Sequence, residues 1–537
     1  NSAERRYQKT LSKNFTLYAD YKKNFNDRHD LSVMVGTSHE SENYDRFTAK
    51  RINFDQQENM SLQLGSAQDQ NAWSEGNQWT INSFFSRVNY TFANKYVIEG
   101  TIRADGSSRF DPDHRWGWFP GVNAAWRVGE EGFMKRLGWF EDLKVRASYG
   151  EMGNQSGIGL YDYIQLISLS NDYYPFGTGV KGQMATSGNI ISTSRTWETI
   201  QTTNVGFDFS TLNNRLYGSF DYFWKENKNM LIPKTYPSML GADAPSTNSG
   251  HLSIHGWEIS LGWRDQIKDF SYSVRFNISD AKNKVVDRVG SNLIQLGNNE
   301  TPTGYPLNSY FGYEFDGIIQ NEQELEAYKS RFSEGGIPGD LSVGDAMYKD
   351  LDGDGKLSVL GDGKEGSGDV KYLGDKNPRY NFGFNLSMAW KGFDLSAFIQ
   401  GVGRRTMFLE GESRCPMPEA WYQSAEYWYG KTWTPERTDA QYPAITLKDK
   451  RNYNYYVSTN TKFNVAYARL KNLQFGYTIP QTLTSKAGLQ KVRVYFSGED
   501  LFEVHNTPNG WDPEENSGSI TSYPFTRNYS FGINVVF

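Results

Sequence analysis

The chain has 537 residues, a formal net charge of −6 and one cysteine, Cys415. The acidic balance argues against a nucleic-acid-binding protein, which presents a basic face, and a single cysteine excludes an intramolecular disulfide framework or a cysteine-based zinc site. Aromatic residues make up 15% of the chain although all hydrophobic residues make up only 37%, so rings carry much of the apolar surface, as suits half-buried strands and wet–dry boundaries.

Alternation of apolar and polar residues is the main pattern of the chain, and helical periodicity is scarce. In chain order, it is clear at residues 87–92, 143–149, 216–225, 257–264, 271–278, 382–390 and 529–537. We count about fifteen alternating segments, many of them about ten residues long, which is the length that a tilted strand needs to cross a bilayer. No apolar run approaches the length of a transmembrane helix. The pattern predicts an all-β, antiparallel protein.

The predicted connections alternate between short and long. Short turns are expected at 93–95, 212–215, 265–268 and 391–392. Long loops are expected at 104–115, 151–198, 227–253, 281–379, 403–461 and 500–526. Short turns on one rim and long loops on the other are typical of a bacterial outer-membrane barrel. Because no linker divides the chain, residues 1–537 are predicted to form one portion of a single transmembrane β-barrel.

The last predicted strand runs to the last residue, Phe537. In its sequence NYSFGINVVF, Tyr529, Phe531, Ile533 and Val535 share one face. A barrel pairs its last strand with its first, because lipid cannot satisfy an unpaired edge. We therefore expect the C-terminus at the periplasmic rim and the long loops outside the cell. An ordinary buried C-terminal strand is the alternative.

Several stretches resemble the SusC/RagA-type TonB-dependent outer-membrane transporters of Bacteroidota, and the resemblance extends over essentially the whole chain. They include IRADGSSRFDPDHRWGWFPGVNAAWRV (102–128), LKVRASYGEMGNQSGIG (143–159), WETIQTTNVGFDF (197–209) and NPRYNFGFNLSMAWKGFDLSAFIQG (377–401). The resemblance implies a barrel of about 22 strands with an N-terminal plug in its lumen. About fifteen strands and no plug identify this chain as the C-terminal portion of such a barrel.

The resemblance also implies a function. We expect TonB-dependent import of nutrient oligomers, either oligosaccharides or oligopeptides, across the bacterial outer membrane. The implied partners are a SusD-like surface lipoprotein that acts as a lid, the TonB energising complex, which would be reached through the missing N-terminal region, and outer-membrane lipid. No catalytic motif such as G-x-S-x-G or a P-loop is present, so we do not expect an enzyme. The alternative is a secreted or surface-exposed all-β carbohydrate-binding protein or glycosidase, which would not sort its loops.

An acidic motif lies in the predicted loop 281–379. In KDLDGDGKLSVLGDG, aspartates occupy positions one, three and five of a calcium-type loop, and Gly355 occupies position six. Position twelve is Gly361, so the following aspartate is the expected substitute. A solvated Gly-rich turn is the alternative. We predict a structural Ca²⁺ that braces the loop through Asp350, Asp352, Asp354, the Lys356 carbonyl and Asp362.

Candidate contact residues for a substrate or a lid lie in loops. Rings of loop 403–461 could stack on sugars or meet a lid protein, although internal packing or lid contact is favoured over direct substrate contact: the candidates are Trp421, Tyr422, Trp428, Tyr453 and Tyr455. Arg109, in ADGSSRF, could touch substrate; the favoured interpretation is a loop-base turn held by an Asp–Arg pair with Asp105. The acidic WDPEEN stretch is interpreted as a structural loop.

Overall fold

A computed structural model of the chain has one large antiparallel sheet of 15 strands, hydrogen-bonded in the order in which they occur in the sequence. In the part of the chain that the structure describes, no helix combines the length and apolarity that membrane crossing requires. The described residues are 2–54, 60–68, 70–170, 175–176, 180–181, 184–187, 190–233, 239, 245–288, 302–360, 368–418, 423–446, 450–515, 518, 523 and 525–537.

We number the strands of the large sheet in chain order. They are β1 (Ser2–Phe25), β2 (His29–Ile52), β3 (Gln70–Phe92), β4 (Tyr96–Ser107), β5 (Trp116–Trp126), β6 (Asp142–Asn154), β7 (Glu198–Thr211), β8 (Leu216–Pro233), β9 (Ser246–Ile267), β10 (Phe270–Asp287), β11 (Arg379–Trp390), β12 (Phe393–Arg404), β13 (Tyr467–Thr478), β14 (Lys491–His505) and β15 (Asn528–Val536). The sheet confirms the prediction of about fifteen antiparallel strands.

The alternating sequence explains the register. Between β10 and β11, Val274 pairs with Leu386 and Phe276 pairs with Phe384, whereas the intervening Arg275 pairs with Asn385. Directly opposed residues of an antiparallel pair lie on the same face of the sheet. One face of these strands is therefore apolar and the other polar, and a slip of one residue would exchange them.

The first three strands are longer than the sequence pattern indicates. β1, β2 and β3 have 24, 24 and 23 residues, compared with the roughly ten that a bilayer requires. β4 pairs only with residues 81–92 of β3, so the remainder of β3 continues past the end of β4 together with β1 and β2. Within these three strands, the alternation of apolar and polar residues is clear only at residues 87–92.

The connections are sorted as predicted, except that residues 127–141 and 479–490 are longer than the short turns expected at their end. Those at one end of the strands are residues 26–28, 93–95, 127–141, 212–215, 268–269, 391–392 and 479–490. Those at the other end are residues 53–69, 108–115, 155–197, 234–245, 288–378, 405–466 and 506–527. Several predicted loop bounds are wrong because strands continue into them: β10 extends to Asp287, and β8 and β9 take up much of 227–253.

The chain forms two compact units, of which the first comprises Asn1–Arg127, Val145–Asn204 and Lys225–Leu252. Its core consists of Phe110, Phe119, Ile158 and Trp197. The Trp197 indole donates a hydrogen bond to the Arg115 carbonyl at 2.8 Å. Its shorter elements are the paired strands Ile167–Ser170 and Met184–Ser187, the paired strands Pro175–Phe176 and Val180–Lys181, and the 3₁₀ turns Leu62–Leu64 and Pro112–His114.

The second unit comprises Val128–Lys144, Val205–Trp224 and Ser253–Phe537. It holds α1 (Gly132–Leu137), α2 (Glu322–Lys329), α3 (Lys450–Asn454), α4 (Gln481–Thr484) and the 3₁₀ turns Val128–Glu130, Gly411–Ser413, Glu426–Trp428 and Ser485–Ala487. Its small strand pairs are Ser309–Tyr313 with Val370–Asp375, Phe315–Ile318 with Ala346–Tyr348, and Thr406–Met407 with Phe463–Asn464. The Asn321 side chain caps α2 by accepting a hydrogen bond from the Glu324 amide.

Two long connections of the second unit are folded rather than irregular. We call the described residues of 302–378 and 405–466 the loop body. Its described residues contribute to three clusters of buried hydrophobic residues: one centred on Tyr328, Tyr348 and Tyr453, one centred on Trp428 and Tyr455, and a smaller one of Tyr310, Leu373 and Phe408. The loop body therefore has its own hydrophobic cores, formed by side chains that point away from water.

Candidate functional site

Buried tyrosines join the two long connections into one body. The Tyr328 and Tyr453 hydroxyls share a hydrogen bond of 2.7 Å, and the Tyr348 hydroxyl donates to the Tyr453 carbonyl at 2.9 Å. The Asn454 amide donates to the Asp345 carboxylate at 2.9 Å. Burial raises the pKa of the Tyr348 and Tyr453 hydroxyls well above the usual value, so both remain neutral hydrogen-bonding groups.

The second core of the loop body is also aromatic. The Trp428 and Tyr442 rings lie 4.8 Å apart, centroid to centroid, in an edge-to-face arrangement, and Tyr455 packs edge-on against Trp428 at 5.6 Å. The Tyr455 hydroxyl donates to the Pro443 carbonyl at 2.9 Å. Trp511, which lies after β14 in the chain, is buried in the same cluster.

These cores determine the position of the predicted contact rings. Trp428, Tyr453 and Tyr455 are all buried, so their rings stabilise the loop body and do not form its surface. Internal packing or lid contact is the interpretation favoured for them over direct substrate contact, and their burial agrees with internal packing. Trp421 and Tyr422 lie outside the described residues. Among the described rings of the loop body, Tyr429 is far more exposed than the others, at 89% of its surface, and it follows directly after a buried tryptophan.

The acidic motif forms a tight turn. Both oxygens of the Asp350 carboxylate accept backbone hydrogen bonds, from the Gly353 amide at 2.6 Å and the Gly355 amide at 3.0 Å. Gly353 and Gly355 both have φ of 75°, a left-handed conformation that glycine adopts without steric cost. The Asp354 carboxylate accepts from the Lys356 amide at 2.7 Å. The backbone of the motif is therefore built on its own aspartates.

Three carboxylates converge at this turn. Oxygens of Asp350, Asp352 and Asp369 all lie within 4.8 Å of one another, and three hard oxygen donors suit Ca²⁺. Asp369, which sequence analysis missed, is buried and accepts from the Leu351 amide at 2.6 Å and from the Ser358 amide at 2.8 Å. The predicted ligand Asp354 is not in this group, and Asp362 lies outside the described residues.

The charges around the turn repel one another. Desolvation raises the pKa of Asp352, and the neighbouring Asp354 and Asp350 carboxylates add to the effect. Burial is also the main cause that raises the pKa of Asp369. A divalent cation would relieve this repulsion. The donor set therefore fits Ca²⁺, although it differs from the one expected from the sequence.

A lysine-flanked glutamate lies next to the acidic turn. The Glu314 carboxylate accepts from the Lys349 ammonium at 2.7 Å and from the Lys371 ammonium. These two lysines lower the pKa of Glu314 to about 2. Because Lys349 directly precedes Asp350 and Lys371 follows Asp369 by two residues, the glutamate links the chain on either side of the acidic turn. No sequence motif marks it.

Arg109 and Asp105 do not form the predicted pair. The Asp105 carboxylate binds Arg103, with the Arg103 Nε to Asp105 Oδ1 distance at 2.7 Å. Arg109 instead donates to the Ile158 carbonyl at 3.0 Å, and its guanidinium carbon lies 5.6 Å from the centre of the Trp79 ring. Arg109 thus links a strand to a loop, and the Arg103–Asp105 pair lies within β4, so the turn is not held by the expected Asp–Arg pair.

A cavity of about 570 Å³ lies at the short-connection ends of the strands in the second unit. Arg215 and Asp265 form an ion pair of 3.2 Å at its edge. Its remaining lining is mostly polar: Asn213, Asn214, Arg264, Gln266, Ser271, Tyr272, Ser273, Ser387, Met388 and Ala389. Among the described residues, the acidic turn is the single group of three or more carboxylate, imidazole or thiol side chains close enough to share a metal ion, so the cavity lacks such a set.

Comparison with known proteins places these features in context. Residues 1–501 match a family model described as "TonB dependent receptor-like, beta-barrel". The TonB-dependent receptor P3 of Formosa agariphila is 32% identical, with 98% of this chain and 52% of the relative aligned. The TonB-dependent receptor SusC of Bacteroides thetaiotaomicron is 26% identical, with 99% of this chain and 50% of the relative aligned. The chain thus spans about half the length of the curated relatives it matches.

A solved structure shares the fold. The RagAB peptide transporter aligns with a TM-score of 0.81 at 23% identity, over 99% of this chain and 56% of the matched chain. At this identity the likeness establishes the architecture alone.

Proposed function

The chain belongs to the TonB-dependent receptor-like β-barrel family of the bacterial outer membrane, and from this premise we propose that the protein imports nutrient oligomers in the manner of SusC-like transporters. The observation that carries the proposal is the 15-stranded sheet whose longest connections, residues 155–197, 288–378 and 405–466, all lie at one end of the strands. Relatives named as TonB-dependent receptors align with nearly the whole chain. A soluble carbohydrate-binding protein or glycosidase would not require this sheet or this placement of its connections.

The transported molecule is proposed to be an oligosaccharide or an oligopeptide. A matched structure is named a peptide transporter, and neither class is favoured by the described residues. The protein is proposed to bind and move its substrate without changing it covalently, so a non-enzymatic role remains a prediction.

The remaining parts of the proposed transporter would lie outside this chain. Because the relatives are about twice as long, we propose that a plug, further strands and the contact with the TonB energising complex belong to the portion that this chain does not cover. The C-terminus is proposed to be periplasmic, since the shorter connections are at its end of β15. Outer-membrane lipid would contact the exposed apolar residues of the strands, such as Phe84 and Trp118.

A SusD-like surface lipoprotein is the proposed lid over the loop body. The support is the combination of a buried aromatic core and an exposed ring: Tyr429 directly follows Trp428, which is buried in that core. A large exposed ring on a rigid support is costly to hydrate and suits a protein contact. Loop 506–527 exposes a second such ring, Tyr523.

A structural Ca²⁺ is proposed at the acidic turn. Asp350, Asp352 and Asp369 would hold it, with the Lys356 carbonyl and Asp362 as the further ligands that the motif predicts; Asp354, which the motif also predicts, lies outside the converging group. The support is the convergence of three oxygen donors within 4.8 Å. The ion would neutralise the turn and brace the loop body; it would take no part in chemistry.

The test of import uses the full-length gene in its native host. Deletion should abolish growth on one oligomeric nutrient and leave growth on its monomers unchanged, and complementation should restore it. Collapse of the proton gradient should stop uptake and leave surface binding in place. A protein that remains in solution without detergent, with growth unaffected by the deletion, would instead support the soluble carbohydrate-binding alternative.

A further inference from the structure

The connection between β14 and β15 folds back onto the polar face of the sheet. Arg469, on β13, is fully buried. Its guanidinium binds Glu503 of β14 at 2.7 Å and Asp512 of the connection at 2.6 Å. A third carboxylate, Glu514, lies 3.1 Å from Arg469 Nη1. One buried cation therefore holds two carboxylates of the connection, and a buried charge requires such partners.

The same arginine also holds the far end of the connection. The Phe525 ring centre lies 4.2 Å from the Arg469 guanidinium carbon, a cation–π distance. Arg527, two residues later, forms an ion pair of 3.3 Å with Glu503. Residues on both sides of the connection thus return to the same point on the sheet.

The sheet is locally modified at this point. Leu470 and Asn472 of β13 pair with Phe502 and Glu499 of β14, so two residues of β14 lie opposite Lys471 alone. Of these two, Asp500 adopts φ of 54°, in the left-handed region. Such a bulge redirects a side chain out of the regular alternation. Here it coincides with an ion pair of 2.7 Å between Lys471 and Asp500, and Lys471 also lies 3.1 Å from Glu514.

The start of the connection is anchored in the loop body. Trp511 is buried in the second aromatic core, 5.9 Å from Tyr427. The buried Arg405, at the base of the loop body, donates from Nη2 to the carbonyls of Pro513 and Glu515, both at 2.8 Å. Within residues 511–515, the Trp511 ring therefore packs in the loop body, and the Asp512 and Glu514 carboxylates bind Arg469 of the sheet.

We propose that residues 511–515 are a strap that fastens the loop body to the polar face of β13 and β14, with Arg469 as its positioning residue. Loss of Arg469 would leave the Glu503, Asp512 and Glu514 carboxylates close together without their shared cation, and their repulsion would lift the strap. The Trp511 ring would then lose its fixed position, and the loop body would loosen although no residue inside it had changed.

Two substitutions at opposite ends of the strap test this. Arg469→Gln removes the charge on the sheet, and Trp511→Ala removes the ring in the loop body. Arg493→Gln is the matched control. Arg493 is also an arginine on the polar face, and it donates to Asp394 of β12 at 2.9 Å and to Gln474 of β13 at 3.2 Å. These partners lie on strands and outside the strap.

The measurement is hydrogen–deuterium exchange of the full-length protein in a membrane mimetic. Peptides covering 405–418, 423–446 and 450–466 should exchange about tenfold faster in both strap variants, and within about twofold of wild type in Arg493→Gln. Unchanged exchange in a folded Arg469→Gln protein would overturn the proposal, as would equal loosening by Arg493→Gln. If Arg469→Gln does not fold, the Trp511→Ala result alone decides in the same way.

A functional readout separates positioning from general stability. If the proposed import function holds, the strap variants should raise the KM for uptake about tenfold and leave the maximal rate nearly unchanged, because the loops bind and the sheet conducts. Arg469→Lys should restore part of the KM, since lysine keeps the charge and loses the planar fork. The exchange experiment does not depend on transport, so failure of the import proposal and failure of the strap are distinguishable.

Discussion

The strands and the loop body use the same apolar side chains in opposite ways. On the strands of the second unit, Trp390, Phe475 and Phe531 are exposed, and Phe531 shows 84% of its surface. In the loop body, Phe311, Tyr348 and Tyr453 are almost completely buried. The exposed rings of the strands need an apolar phase such as lipid around them, whereas the buried rings of the loop body pack against one another. One chain therefore contains a sheet whose exposed rings suit lipid and a loop body whose buried rings form a hydrophobic core in water.

The largest expected effect comes from a substitution in the hydrophobic core of the loop body. Tyr348→Ala should destabilise the loop body by about 3–5 kcal/mol, because deletion of a buried aromatic ring leaves a cavity. The effect should be local: protease sites within 302–378 open, while the sheet keeps its resistance to unfolding in detergent. Tyr429→Ala, at an exposed ring, should change stability by less than about 0.5 kcal/mol. Unfolding of the sheet together with the loop body would contradict the separation of the two regions.

A charge on the apolar face of a strand should have the next largest effect. Phe531→Arg should cost about 2–4 kcal/mol of stability in a bilayer, the usual penalty for arginine at the lipid face of a barrel strand. The adjacent Ser530 lies on the opposite face of β15, so Ser530→Arg should cost much less. Unfolding titrations of the full-length protein in lipid vesicles measure both. Equal penalties at the two neighbours would show that β15 does not face lipid.

Calcium should sharpen the comparison, because it is proposed to act on the loop body alone. An ion at 100 times its Kd should stabilise the loop body by about 2.7 kcal/mol and leave the sheet unchanged, as judged by loop proteolysis with calcium or with a chelator. Asp352→Asn should remove this increment. Asp354→Asn is the matched control, since each carboxylate accepts one backbone hydrogen bond and only Asp352 belongs to the converging group. Equal loss in both variants would restore the ligand set predicted from the sequence.

Acid should have the smallest effect. Lys349 and Lys371 lower the pKa of Glu314 to about 2, so the folded state binds a proton less readily than the unfolded chain. The stabilisation is therefore fully present above the unfolded pKa of about 4.3 and is lost as the pH falls from there toward 2. Because Glu314 is only half-buried and water screens its ion pairs, the loss should not exceed about 1 kcal/mol. Glu314→Gln should abolish this part of the pH dependence, measured by loop proteolysis between pH 6 and pH 3; an unchanged profile would contradict it.

The strands could be predicted because their signal is local. Alternation at 271–278 or 382–390 can be read within a few residues, and each such segment became part of a strand. The alternation is not clear in β1 and β2. In β1, charged residues such as Arg5, Lys9 and Lys13 occur on the same face as Tyr7 and Leu11, which obscures the apolar period. The sorting of connections required only chain order.

The loop body and the strap could not be predicted because their contacts join distant residues. Tyr328 and Tyr453 meet across the whole of β11 and β12, and Asp369 reaches the acidic turn from beyond the motif. The motif itself was visible, but its spacing placed Asp354 among the ligands. Nothing in the sequence distinguishes Arg469 from other polar residues of a strand. The acids of WDPEEN are interpreted as part of a structural loop, and their ion pairs with Arg469 and Lys471 could not be identified from the sequence.

The most direct test of the central claim is the sidedness of the two regions in living cells. A cysteine at Tyr429, in the loop body, and one at Asn213, in a short connection, would be probed with a polymer-linked maleimide too large to enter porins; the native Cys415 is buried and serves as the background. For a transporter in the outer membrane with its loop body outside, we expect Tyr429→Cys to react in intact cells and Asn213→Cys to react only after the membrane is opened. Reaction of Asn213→Cys in intact cells, or recovery of the protein in the soluble fraction, would contradict it.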